Sequence, residues 1–176
     1  MKKKNLFALA LMLIAAFTLS FTACSKDDDD DNNNVDPVPE GLVGKWVSEG
    51  ENVAPLLVGF NIAKIIADFK DNGTYLVESF DTEGVKTELV GVYTMEESSV
   101  EGIWTIVLQQ SQPTSLRSEG IFQIIEKENG REMKYEVVQT DPSLGFAAPT
   151  PEGGFGSTGG GSLGVLNVQY YVEIKE

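Results

Sequence analysis

Histidine is absent from this chain of 176 residues, and cysteine occurs once, as Cys24. Without histidine, neither Ser-His-Asp nor Cys-His catalysis can be assembled, and no imidazole or clustered-thiolate metal site can form. The lone cysteine has no partner for an intramolecular disulfide. Paired carboxylates remain as the only catalytic option, but the acidic residues are scattered, as on a solvated surface. We therefore expect no enzyme, no metal and no cofactor.

Basic residues are also scarce, with 13 Lys and Arg against 27 Asp and Glu and a net charge of −14. From Gly41 onward the chain has 9 basic and 20 acidic side chains, so this part is acidic as well. An acidic surface repels phosphate backbones and anionic membrane surfaces. The composition therefore argues against a nucleic-acid partner.

The chain has no apolar run long enough for a membrane span. Lys2, Lys3 and Lys4 precede an apolar run from Leu6 to Phe17, which is shorter than the ~20 residues that a spanning helix needs. A basic start, an apolar middle and a small residue before a cleavage point are typical of a secretory signal. Residues 1–23 are therefore predicted to be a signal peptide.

The segment Phe21-Thr22-Ala23-Cys24 resembles the lipobox of bacterial lipoproteins, in which the cysteine is acylated and becomes the first mature residue. Ser25, Lys26 and the run Asp27–Asp31 resemble the surface-export signal of lipoproteins from the Bacteroidetes. The resemblance implies a membrane anchor at Cys24, location at the outer membrane and exposure at the cell surface. The alternatives are a secreted protein with a stray cysteine and an acidic spacer. Residues 24–40 are predicted to be a disordered tether, because they are polar and rich in Asp, Asn and Pro.

Residues 41–176 are predicted to form one domain of short strands, because segments rich in β-branched and aromatic residues alternate with turn signals. In the seventh segment Met133, Tyr135 and Val137 alternate with charged residues, which is typical of a strand with one buried and one solvated face. In the eighth, Leu166, Val168, Tyr170, Val172 and Ile174 alternate with Asn167, Gln169, Tyr171 and Glu173. The eight predicted strands cover residues 43–49, 65–70, 74–80, 85–94, 103–109, 119–126, 131–139 and 165–174.

Eight strands joined mostly by short links favour an all-β fold, an antiparallel up-and-down barrel that closes on itself and leaves no edge. A β-sandwich is the alternative. Two segments break the strand pattern. Residues 52–63 are predicted to contain a short helix from about Pro55 that packs over one barrel end. Residues 141–164 form a long glycine-rich loop, a kind of loop that is usually functional or disordered.

Three motifs in the first half of this domain resemble the lipocalin-like domains of Bacteroidetes lipoproteins. They are Gly44-Lys45-Trp46, the hairpin with Asp71-Asn72-Gly73 before Tyr75, and Gly91-Val92-Tyr93. The resemblance implies a lipocalin-like barrel in which Trp46 has a structural role and plugs the closed end. In lipocalins an arginine from a late strand stacks on this tryptophan. The arginines of this chain are Arg117 and Arg131, and neither lies in the predicted last strand.

An eight-stranded barrel is either filled by its own side chains or holds one small ligand. The candidate ligand-binding residues are aromatic, and the alternative role of those on the strands is core packing. Phe146 and Phe155 lie on the long loop, where they form either a lid over the barrel mouth or a local anchor that holds the loop down. The favoured hypothesis is a surface lipoprotein that binds a small apolar ligand, a glycan or a partner protein. The alternatives are an accessory envelope lipoprotein with a filled barrel and a carboxylate-dependent enzyme. The candidates are Tyr75, Tyr93, Trp104, Tyr135, Phe146, Phe155 and Tyr170.

Overall fold

The computed structural model describes residues 41–175; the predicted signal peptide, Cys24, the aspartate run and the tether lie outside these residues. Eight strands and one helix make up the fold, together with two 3-10 turns at Gly50–Asn52 and Gly164–Asn167. The strands are β1 Gly44–Glu49, β2 Ile62–Phe69, β3 Thr74–Asp81, β4 Lys86–Glu97, β5 Trp104–Gln112, β6 Leu116–Lys127, β7 Gly130–Asp141 and β8 Gln169–Ile174; the helix is α1 Pro55–Gly59.

The strands form a closed antiparallel barrel in which each strand pairs with the next and β8 pairs with β1. The predicted up-and-down barrel is confirmed, and the β-sandwich alternative is wrong. Tight turns set the order of pairing. At the β2–β3 turn, Gly73 has a φ of 76° and the Asn72 side chain accepts the Thr74 N–H at 3.1 Å. Asn and Gly tolerate this backbone, so the turn joins adjacent strands without strain.

The predicted last strand is shorter than expected and its faces are reversed. Residues Gly164–Asn167 form a 3-10 turn, and the strand begins at Gln169. Within it Gln169 and Tyr171 are buried, whereas Tyr170 and Val172 are exposed. The register explains this, because Trp46 lies opposite Glu173 and directly opposed residues share a face. In the seventh strand Met133 and Tyr135 are buried as predicted and Val137 is partly buried, but Glu136, on the face predicted to be solvated, is fully buried.

Helix α1 lies at one end of the barrel, as the sequence predicts. Pro55 occupies its first turn, where the missing N–H is not needed, and the Ala54 carbonyl accepts the N–H groups of Leu57 and Val58. Leu57 packs against the buried core, while Val58 is exposed. The helix therefore covers part of this barrel end with one apolar side chain facing the interior.

The long glycine-rich loop lies against the outer face of β7. The buried Glu136 carboxylate accepts the backbone N–H groups of Gly156 and Thr158, and it also accepts the Thr158 hydroxyl. Ile121 lies opposite Glu136 in the register and is fully buried, although it points away from the barrel interior. The loop thus covers one side of the barrel with a second, smaller buried layer.

Candidate functional site

One end of the barrel is plugged by Trp46. Its side chain is fully buried, and its indole N–H donates to the Leu42 carbonyl at 2.8 Å. The Arg131 guanidinium lies 5.4 Å from the centre of the Trp46 ring and forms an ion pair with Glu173. Arg131 also donates to the Gly41 carbonyl at 2.9 Å. This hydrogen-bonded arginine lowers the pKa of Glu173, so the plug combines ring packing, a cation–π contact and a half-buried ion pair.

Aromatic side chains fill the interior above this plug. The rings of Phe69 and Tyr93 pack edge to face with centroids 5.2 Å apart, and the Tyr93 hydroxyl donates to the Lys70 carbonyl at 2.7 Å. Trp104 stacks on Phe122 with a centroid separation of 6.4 Å. We call this half of the barrel the closed end, because its interior is occupied by its own side chains.

A cavity of about 180 Å³ occupies the opposite half, which we call the open end. Helix α1 contributes Leu57, and the strands contribute apolar side chains that alternate along each inward face. No Lys, Arg, Asp or Glu is among the side chains that line it. The lining residues are Leu57, Ile65, Tyr75, Val77, Leu89, Leu108, Gln110, Leu116, Ser118, Tyr135, Val137, Gln169 and Tyr171.

Three tyrosines form part of the cavity wall. The rings of Tyr135 and Tyr171 pack edge to face with centroids 5.8 Å apart. Burial raises the pKa of Tyr75 to about 12, and burial also raises the pKa of Tyr135 and of Tyr171 well above 10. All three hydroxyls are therefore neutral near pH 7, where they can donate or accept a hydrogen bond.

The cavity wall also contains amide side chains. The Gln110 amide nitrogen donates to the Thr114 carbonyl at 2.9 Å. The Gln169 amide nitrogen is buried and has no hydrogen-bond partner within residues 41–175. A buried donor without a partner is uncommon in folded proteins, so Gln169 differs from the rest of the wall.

Two of the seven predicted ligand-binding residues, Tyr75 and Tyr135, meet at this cavity. Tyr93 and Trp104 pack at the closed end instead. Tyr170 is 42% exposed on the outer face of β8. The other two lie on the loop and are described next.

The loop aromatics lie on the outer side of the barrel. The Lys134 ammonium lies 4.5 Å from the centre of the Phe155 ring and 5.9 Å from that of Tyr170. Phe146 is partly exposed and packs against Gly159. Neither loop aromatic is among the residues that line the cavity. For both rings, these contacts favour an anchor that holds the loop on the barrel over a lid that covers the barrel mouth.

Sequence reasoning missed Gln169 and Tyr171, because they alternate with the more apolar Tyr170 and Val172. The signal that identifies them is Glu173. It shares their face and is the partner of an arginine beside Trp46, which places all three on the inner side. Leu57 was missed because a single leucine in a short helix has no pattern of its own.

Within residues 41–175, no group of three or more Asp, Glu, Cys or His side chains is placed to hold a metal ion. In the same part of the chain, no helix has the length and apolarity needed to cross a bilayer. Comparison of the chain with protein-family models, with curated proteins and with solved structures finds no match.

Proposed function

We propose that this protein is a lipocalin-like lipoprotein, anchored through Cys24 at the outer membrane and exposed at the cell surface, that binds a small apolar ligand in the open end of its barrel. The observation that carries the binding proposal is the cavity of about 180 Å³ with mostly apolar walls. Burial of apolar surface drives such binding, and the few polar groups of the wall orient the ligand.

The cavity volume limits the ligand to a single ring or a short chain. Drug-sized ligands occupy pockets of roughly 300–1,000 Å³, whereas an apolar cavity of about 150 Å³ is large enough for benzene. The wall has few polar groups, so it favours an apolar molecule over a glycan. The acidic surface, with 20 acidic and 9 basic residues from Gly41 onward, also disfavours anionic ligands.

The anchor is supported by the lipobox-like segment that ends at Cys24 and by the aspartate run Asp27–Asp31. Several acyl chains on one residue make an anchor stable, because each buried CH₂ contributes ~0.8 kcal/mol. Gly41, the first described residue, contacts Arg131 at the closed end. The described chain thus begins at the plugged end, whereas the cavity lies in the opposite half of the barrel.

Native mass spectrometry of the protein purified from its own cells tests ligand binding. We expect a complex with one small neutral molecule. The Leu108→Trp substitution fills the cavity, so this variant should be purified without the bound molecule. Repeated recovery of the wild-type protein as a bare monomer would contradict tight ligand binding.

Fatty-acid labelling and protease treatment of intact cells test the anchor. Cys24→Ala should abolish lipid labelling and release the protein from the membrane fraction, whereas Ser25→Ala serves as the matched control. Unchanged labelling and localisation of Cys24→Ala would overturn the anchor.

A second candidate function is that of an accessory envelope lipoprotein that docks to a partner protein. The observation that favours it is a set of exposed apolar side chains in the last part of the chain. Apolar surface of this kind often marks an interaction site. A photo-crosslinking residue at Val172, compared with one at the exposed Glu88 of β4 on another side of the barrel, would capture a partner from intact cells only at the first position. The exposed apolar side chains of this surface are Val165, Leu166, Tyr170, Val172 and Ile174.

A further inference from the structure

Two buried side-chain polar atoms within residues 41–175 lack a hydrogen-bond partner, the Ser48 hydroxyl oxygen and the Gln169 amide nitrogen. Ser48 is fully buried and Gln169 is 5% exposed. A buried polar group without a partner loses its hydration and regains nothing, which is why folded proteins nearly always satisfy such groups. Two of them in one barrel therefore need an explanation.

Both atoms belong to the same wall of the barrel. Val47 of β1 lies opposite Val172 of β8, so the next position, Ser48, lies beside Tyr171. Residues two apart on a strand share a face, so Gln169 points to the same side as Tyr171. Tyr171 and Gln169 both line the cavity. We call Ser48 and Gln169 the polar wall.

The polar wall contrasts with the rest of the cavity. The second glutamine of the lining, Gln110, uses its amide nitrogen to bond the Thr114 carbonyl. Gln169 instead keeps a donor available next to an apolar space that can hold a ligand. A serine hydroxyl can donate as well, but Ser48 is not among the residues that line the cavity, so Gln169 is the member of the wall that faces a ligand.

The charge of the ligand follows from the lining. No basic side chain lines the cavity, so a bound carboxylate would be buried without a counter-ion. Burial of an unpaired charge is strongly unfavourable, which excludes fatty-acid anions as well-bound ligands.

We propose that the polar wall selects a small neutral molecule with an apolar ring or short chain and one hydrogen-bond-accepting oxygen, such as a ketone, an ester or an ether. The proposal rests on the ligand-binding function proposed above and adds the chemical class of the ligand. The apolar part fills the space between Leu57 and Leu108, while the oxygen accepts a hydrogen bond from Gln169.

Three ligands of similar size test this: cyclohexanone, methylcyclohexane and cyclohexanecarboxylate, each titrated into the full chain. Methylcyclohexane gains more from leaving water than cyclohexanone does, so the readout is the ratio of the cyclohexanone affinity to the methylcyclohexane affinity, compared between the wild type and a variant without the Gln169 donor. We expect this ratio to be about tenfold higher in the wild type, a difference of about 1.4 kcal/mol. Cyclohexanecarboxylate should bind most weakly. The NMR signal of the Gln169 side-chain amide should shift with cyclohexanone and not with methylcyclohexane.

Matched glutamine variants identify the donor. Gln169→Met keeps the length of the side chain and removes the donor, so it should lower this ratio about tenfold and leave hydrocarbon binding intact. Gln139→Met removes an amide that donates to the Pro142 carbonyl at 2.7 Å and does not line the cavity, so it should retain the ratio. The ratio of the two affinities is the readout, because a general loss of stability does not change it.

Each other outcome contradicts a defined part of the account. The same ratio in the wild type, in Gln169→Met and in Gln139→Met would overturn the polar-wall proposal and leave the ligand-binding function standing. Tightest binding of the carboxylate would overturn the neutral-ligand proposal. Failure of all three to bind would overturn the ligand-binding function itself.

Discussion

At the scale of single residues, the structure buries polar side chains at positions that the alternation of the sequence predicts to be solvated. Glu136 is the clearest case, because it is fully buried on the outer face of β7. Two backbone N–H groups and one hydroxyl of the loop donate to its carboxylate. Hydrogen bonds to a charged acceptor contribute more than those between neutral groups. This residue therefore stabilises the loop on the barrel.

Replacement of Glu136 by Gln tests this role. The amide turns one acceptor into a donor that faces the loop N–H groups, so we expect a loss of about 2–3 kcal/mol of stability. Urea unfolding gives the loss, and amide hydrogen exchange at Gly156 and Thr158 should become faster. Glu132 is four residues earlier on the same face, with its side chain 44% exposed and 3.6 Å from the Lys127 ammonium. Glu132→Gln should cost about 0.5 kcal/mol or less, and equal losses for both variants would contradict the account.

The cavity tyrosines make stability depend on pH at the alkaline end. Burial raises the pKa of Tyr75 from 10.0 to about 12, so between these pH values the unfolded chain loses the phenolic proton before the folded protein does. Stability from this residue is therefore complete below pH 10 and decreases as the pH rises to about 12. Urea midpoints across this range should decrease less steeply for Tyr75→Phe than for the wild type. Identical slopes would show that Tyr75 contributes nothing to the alkaline loss.

At the scale of the elements, the barrel closes because two inward-facing glycines allow neighbouring backbones to approach. A Cβ atom on Gly120 of β6 would lie 2.0 Å from the Glu136 carbonyl oxygen. One on Gly91 of β4 would lie 2.1 Å from the Gln109 carbonyl oxygen. Glycine inside a strand often marks a tight bend at a barrel corner, and these positions fit that role.

Gly120→Ala is expected to cost about 2–3 kcal/mol, because the added methyl group meets backbone that cannot move aside easily. Gly59→Ala at the end of α1 is the control, since nothing lies within 4 Å of the added atom. Its effect should stay within about 0.5 kcal/mol. Thermal and urea unfolding of both variants measure the difference. A neutral Gly120→Ala would show that the strands separate at this point without penalty.

The elements also show what could be predicted from the sequence. Turn residues such as Asn72 and Gly73, and the alternation in β7, act locally, so strand order and the barrel followed from them. The inner face of β8 could not be predicted from local patterns, because it depends on pairing with β1, which is far away in the chain. The site was predicted in part for the same reason. Tyr75 and Tyr135 lie on strands with clear patterns, whereas Gln169 becomes inward-facing only through the register of the closed barrel.

At the scale of the whole molecule, the two ends of the barrel differ in content. The closed end is occupied by Trp46, Arg131 and the aromatic rings above them, and the described chain begins there. The open end holds the cavity, with Leu57 of α1 at its edge. The described chain therefore begins in the half of the barrel that does not hold the cavity.

A methyl NMR titration of the full chain with benzene tests the central claim, that the open end binds one small apolar molecule, most directly. The account predicts saturable shifts at the methyl groups of Leu57, Val77 and Leu108, which line the cavity. It predicts no shift at Met95, which belongs to the packed core and does not line the cavity. No saturable shift at the cavity methyls up to the solubility limit of benzene, or equal shifts at Met95, would contradict it.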